Sequence, residues 1–72
     1  MISKEQIDNW FTYHPPKDGA QVAAYARIRE AGKAFAEAVV RETPASADQT
    51  AAIRLIREAV MTANAALACE GR

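Results

Sequence analysis

Apolar residues recur at spacings of three and four along three stretches, and each stretch opens with the same local chemistry. Ile7, Trp10 and Phe11 mark the first, predicted as a helix from about Lys4 to Phe11. Ala24, Ile28, Ala31, Phe35, Ala38 and Val39 form one stripe of a second helix, from about Ala20 to Arg41, flanked by Tyr25, Gly32 and Ala36. Ala52, Ile56, Ala59, Val60, Ala63 and Leu67 form the main stripe of a third, which runs to about Cys69, while Ile53, Leu55, Met61 and Ala65 spill onto other faces. Ser3–Gln6, Asp18–Gln21 and Ser46–Gln49 each fit a capping box at the head of a stretch. The first side chain accepts from an early helical N–H, and the glutamine three residues on reaches back.

The joints are equally legible. Pro15 and Pro16 lack N–H donors and hold Thr12 to Asp18 out of helix; Pro44, after Thr43, ends the second helix in a tight turn. Two helices of over 20 residues joined by a short turn make an antiparallel hairpin. The expected fold is all-α: a single helical-hairpin domain over residues 1–72, with a short N-terminal helix that is too brief to stand alone. Gly32, inside a helix, costs about 1 kcal/mol against alanine. It marks close contact between helices or close approach of a ligand or partner backbone.

Composition changes the picture in one respect. Half of the 72 residues are apolar, but 17 of those are alanine. The core is thin for a chain that hides only about 60% of its unfolded surface. Partner chains are expected to complete it, giving a homo-oligomer. Nine basic residues balance nine acidic ones, which argues against a general binder of nucleic acid polymers. No apolar run approaches the roughly 20 residues of a membrane span, and the N-terminus does not read as a signal peptide. Cys69 alone can form neither an internal disulfide nor a structural zinc site, and reads as a small, partly buried apolar residue.

Catalytic chemistry is not legible. There is no glycine-rich phosphate loop, nucleophile elbow or pair of metal ligands, and His14, the one histidine, has no acid or nucleophile at a useful spacing. The expectation is a protein that is not an enzyme and carries no cofactor or catalytic metal. Two features remain. Phe11-Thr12-Tyr13-His14-Pro15-Pro16-Lys17 concentrates aromatics, rigid prolines and a cation. Such a loop can stack on nucleobases, or plug the short helix onto the hairpin. His14 is either a ligand contact or a packing residue of that loop. Arg29 and Lys33 share a face of the second helix, where they either grip phosphate or stand as solvated charge, with Lys33 paired to Glu37. Arg54 and Arg57 read as ordinary exposed charge, with Arg54 paired to Glu58.

The run Phe11-Thr12-Tyr13-His14-x-Pro16-Lys17, with Gln21, Tyr25, Ile28-Arg29, Ala59-Val60-Met61, Asn64-Ala65 and Ala68, resembles the helical-hairpin domain of phage anti-CBASS and anti-Thoeris sponges. That family binds the cyclic nucleotide signals of bacterial defence and holds them away from their effectors. The resemblance implies a hexamer of antiparallel dimers, acting in the cytoplasm of an infected bacterial host. It also implies a pocket between two protomers for a cyclic dinucleotide such as cyclic GMP-AMP. Tyr13 fits the stacking role and Arg29 the phosphate role. Phe11, His14, Pro16, Lys17 and Lys33 would complete the site, with Lys17 the most expendable as a solvated group. Ala31 and Gly32 stand where some members carry a hydroxyl. No arginine here is assigned to the separate cyclic trinucleotide site of some members.

Two rival readings remain. One is a small helical interaction module whose aromatic loop only closes an oligomer. The other is a nucleic-acid adaptor, which the neutral charge and scattered basic residues disfavour.

Overall fold

In the computed structural model, which describes residues 1–72, three capped helices follow one another: α1 (Lys4–Trp10), α2 (Gly19–Glu42) and α3 (Ala47–Ala68). No strand is present. Phe11 lies one position beyond its expected place, as the C-cap of α1 rather than its last residue. Thr43 takes the extended conformation that a following proline favours and closes α2.

Of the three expected capping boxes, only the one at Ser3 is complete. Its Oγ accepts from Gln6 N at 3.1 Å, and Gln6 Oε1 accepts from Ser3 N at 2.8 Å. Asp18 and Ser46 accept from Gln21 N and Gln49 N as expected. Their glutamine side chains go elsewhere. Gln21 Nε2 donates to Leu67 O at 3.1 Å, and Gln49 Nε2 donates to Thr43 O and Thr43 Oγ1, each at 3.1 Å. The reason is the hairpin itself. The last carbonyls of a helix lack intrahelical donors, and each glutamine starts its helix beside the end of the other. The two side chains therefore fasten both ends of the hairpin.

The helices α2 and α3 come into close contact at Gly32. A Cβ there would overlap Val60 Cγ2, with Ile56 Cγ2 also at van der Waals distance. Of the two readings of Gly32, close helix–helix contact is the one observed. This rotates α2 from its expected orientation: Gly32 and Ala36 lie nearer the seam, while Ala31 and Phe35 turn outward, Phe35 to 61% exposure. On α3, Ile56, Val60, Ala63 and Leu67 face inward as expected, Ala59 is exposed, and Ile53 is half-buried. Within the helices Ile56 alone is buried, at 9% exposure.

Two helices side by side make a single layer, 44 × 32 × 15 Å. The radius of gyration is 15.2 Å, against about 11 Å for a compact chain of this length. The accessible surface is 5636 Å², against about 4,400 Å² for a compact 7.8 kDa protein. The surplus, about 1,200 Å², exceeds the roughly 800 Å² each partner gives to a standard interface. One broad side of the layer is apolar, where Ile28, Ala31, Phe35, Ala52, Leu55 and Ala59 line a groove of about 530 Å³.

Gly32→Ala tests the seam. Alanine gains about 1 kcal/mol of helix propensity, yet the overlap with Val60 should reverse the sign and lower stability by about 1–3 kcal/mol. Pairing it with Val60→Ala should restore part of the loss in thermal melting. A Gly32→Ala protein more stable than the parent would show that the seam is looser than described.

Candidate functional site

The loop after α1 is pinned to the end of α3 by its neighbours. Asn9 Nδ2 donates to Cys69 O at 3.4 Å, and Trp10 Nε1 donates to Arg72 O at 2.8 Å. Cys69 is buried and points its thiol at Asn9 O, 3.9 Å away. His14 Nε2 donates to that same carbonyl at 2.6 Å, so one ring nitrogen holds the loop in place. Trp10, rather than the loop aromatics, joins the short helix to the hairpin. The plug reading of the loop is therefore not what a single chain shows. Phe11 is 85% exposed and Tyr13 82% exposed.

The end of α3 has its own device. Gly71 N donates to Ala66 O at 2.9 Å and Glu70 N to Leu67 O at 3.2 Å, the two bonds of a Schellman cap. Glu70 takes the left-handed position, φ 54°, which costs a side-chain-bearing residue about 1–2 kcal/mol. Its carboxylate meets Lys17 Nζ at 3.1 Å and Arg72 Nη2 at 3.6 Å. The Lys17 hydrogen bond, helped by the charges of Lys17 and Arg72, holds the Glu70 carboxyl below its ordinary value of 4.5. Lys17 is thus exposed yet partnered, and not the free solvated cation expected. Its backbone N also donates to Gln21 Oε1 at 2.6 Å, which ties the loop to the head of α2.

Away from the loop, the face opposite the apolar groove carries a second groove of about 400 Å³. Gly32, Ala36, Ile53, Ile56, Val60 and Met61 form its floor; Arg29 and Lys33 from α2 and Arg57 from α3 form its rim. Lys4, Lys17, Arg41 and Arg72 are in ion pairs, whereas Arg27, Arg29, Lys33, Arg54 and Arg57 are in none. The expected pairs Lys33–Glu37 and Arg54–Glu58 do not form. No acidic side chain lines this groove. It can receive an anion with apolar faces.

Of the residues singled out in the sequence, Arg29 and Lys33 are brought together, as are His14 and Lys17 in the anchored loop. Tyr13 and Arg29 are not joined within one chain. Arg29 lies ten residues past Gly19, about 15 Å along α2 from the loop end, and neither the apolar groove nor the basic groove is lined by Tyr13. Arg57 was missed. The signal was available: with Gly32 and Val60 taken as the contact point, residues 29, 33, 53, 57 and 61 fall on one side of the seam.

Fold and groove together define a small helical-hairpin domain with an anion-receptive face and an exposed aromatic loop. Residues 3–68 match the profile of the Acb2/Tad1 hairpin domain, and the chain belongs to that family, the phage cyclic-nucleotide sponges of the anti-CBASS and anti-Thoeris type. The resemblance seen in the loop motif is thereby established. Family membership points to an anti-defence role by sequestration rather than catalysis and implies binding of cyclic nucleotides. The chain has no match among curated proteins, nor among solved structures. No helix is long and apolar enough to cross a membrane.

The Glu70 tie should respond to acid. Its folded-state pKa is depressed, so the tie is present above the ordinary value of 4.5 and is lost as pH falls through the lower folded value. A nuclear magnetic resonance titration of the Glu70 carboxyl should give a midpoint below 4.5, and Lys17→Ala should raise it toward that value. A midpoint at or above 4.5 in the parent chain would show that the tie does not persist in solution.

Proposed function

We propose that this chain sequesters a cyclic dinucleotide, such as cyclic GMP-AMP, without cleaving it, within the cytoplasm of an infected bacterium. The carrying observation is the unpaired basic groove of Arg29 and Lys33 in a hairpin whose loop presents Tyr13 unstacked. Tyr13 stacks on a base and Arg29 pairs with a phosphate. His14, Pro16 and Lys17 shape the mouth, Phe11 adds a second aromatic surface, and Lys33 supplies further positive charge. The loop is set in advance by two prolines, the His14 hydrogen bond and the Lys17 tie. Ordering lost before binding is not charged to affinity.

The separation of Tyr13 from Arg29 supports a pocket made by two protomers. A cyclic dinucleotide has near-twofold symmetry, and an isologous pair offers each side chain twice. The apolar face of Phe35 and Leu55 gives such copies a surface to bury, consistent with a hexamer of antiparallel dimers. The rival reading, a module whose aromatic loop only closes an oligomer, draws on the exposure of Phe11 and Tyr13.

Calorimetry beside light scattering separates the two. Stacking contributes about 1–3 kcal/mol per base and a charged hydrogen bond to phosphate about 1.5–3 kcal/mol. With each group present twice, Tyr13→Ala or Arg29→Ala should weaken cyclic GMP-AMP binding by at least about 100-fold, and the Arg29→Ala assembly should persist. The rival predicts that Tyr13→Ala abolishes assembly and that no cyclic nucleotide binds.

Assembly has its own test. Light scattering should give a mass well above 7.8 kDa, and Leu55→Glu should return the chain to that monomer mass with loss of helical signal on mild heating. A parent chain that is monomeric at micromolar concentration would remove the two-protomer pocket.

A further inference from the structure

We infer that Arg57 is a ligand-binding residue of the basic groove, the α3 half of a grip that closes on the phosphates from both helices. The inference rests on the proposed cyclic-dinucleotide site and adds to it a residue on the other side of the seam. Arg29 and Lys33 stand about one turn apart on α2, about 6 Å along its axis, and can serve one edge of a ligand. The two phosphodiesters of a cyclic dinucleotide lie on opposite edges of its ring. With Arg29 supplied once by each protomer, each can meet one of them, and in each copy of the groove Arg57 is the cation that stands across the seam, on the α3 side of the same phosphate.

The charge pattern carries the inference. Arg29, Lys33 and Arg57 surround one floor of Gly32, Ala36, Ile53, Ile56, Val60 and Met61. None has an ion-pair partner, although Lys4, Lys17, Arg41 and Arg72 all do. Like charges about a shared groove repel one another when it is empty, and an acidic residue on its rim would relieve this. Glu58 follows Arg57 directly in the chain yet is not part of the rim. A dianion with apolar ring faces complements such a groove in both charge and floor. Arginine adds geometry, since its planar fork can hold two oxygens of one phosphate. Arg54 adjoins Arg57 in the neighbouring cavity and extends the positive stripe toward Gln49 and Thr50.

The experiment is calorimetric titration of the intact protein with cyclic GMP-AMP for Arg57→Lys, Arg57→Ala and Arg57→Glu, with Arg29→Ala alongside. Light scattering and melting without ligand accompany each variant. An exposed arginine contributes little to folding, so all four variants should keep the parent mass and melting point. Affinity should fall progressively in the order lysine, alanine, glutamate: several-fold for lysine, which keeps the charge and loses the fork, about tenfold or more for alanine and about 100-fold or more for glutamate. If glutamate disturbs assembly, the lysine and alanine variants decide alone. Should Arg29→Ala lose binding while Arg57→Ala stays within twofold of the parent, the inference is overturned and the proposed function stands. Should the parent protein bind no cyclic nucleotide, both are overturned.

Discussion

A two-helix hairpin is one layer thick, and one layer can bury only one seam. Everything else in this chain follows from that constraint. Within the helices only Ile56 reaches burial, and the molecule keeps about 1,200 Å² more surface than a compact protein of its mass. The two broad sides are consequently not equivalent leftovers of folding. One is almost wholly apolar, centred on Phe35 and Leu55; the other sets three cations around an apolar floor. Self-association can satisfy the first. The second has the charge and the floor to suit an anion with apolar faces.

What divides the sides is the contact of Gly32 with Val60. A larger residue at 32 would push α2 away and rotate it about its axis, because interiors are close-packed and do not stretch smoothly. Holding α2 at that angle sends Ala31 and Phe35 to one side and Arg29 and Lys33 to the other. The glutamines at the two ends keep the register. Gln21 reaches the end of α3 and Gln49 reaches the end of α2, each using carbonyls that helix geometry leaves without donors. A single small residue and two end clamps therefore fix which side chains share a groove.

This also explains what could be read from the sequence. The caps, the proline breaks and the helical spacing are local, so three helices and their order were legible within one or two residues. The orientation of α2 was not. Its apolar residues cover more than half of its circumference, and a stripe drawn through the largest of them, Ile28 and Phe35, points past the seam toward the outer apolar face. Bulk marks a face to be covered, while closeness is marked by the absence of bulk at Gly32. The same orientation decides that Arg57 shares a groove with Arg29 and Lys33, because its place depends on which side of Val60 it stands. The anchoring of the loop was invisible for another reason. Asn9, Trp10, Cys69 and Glu70 meet through backbone carbonyls and a left-handed cap about 60 positions away in the chain. The aromatic-proline motif itself was legible, and it carried the family resemblance.

A protein that only sequesters must derive its whole effect from binding, with no turnover to amplify it. Nanomolar retention corresponds to about −12 kcal/mol, and a single-layer hairpin has few ways to supply it. It cannot enclose a ligand, for lack of depth. It can arrange in advance the groups that would otherwise lose freedom on binding. The loop shows that arrangement: Pro15 and Pro16 restrict its backbone, His14 and Lys17 fasten it on either side, and Phe11 and Tyr13 are left outward. The groove shows the electrostatic counterpart, cations kept free of acidic partners so that none has to be displaced. In the proposed pocket these two preparations come from different protomers. An interface that covered the apolar face and a site that held the ligand would then draw on one assembly, and ligand occupancy would stabilise that assembly by mass action.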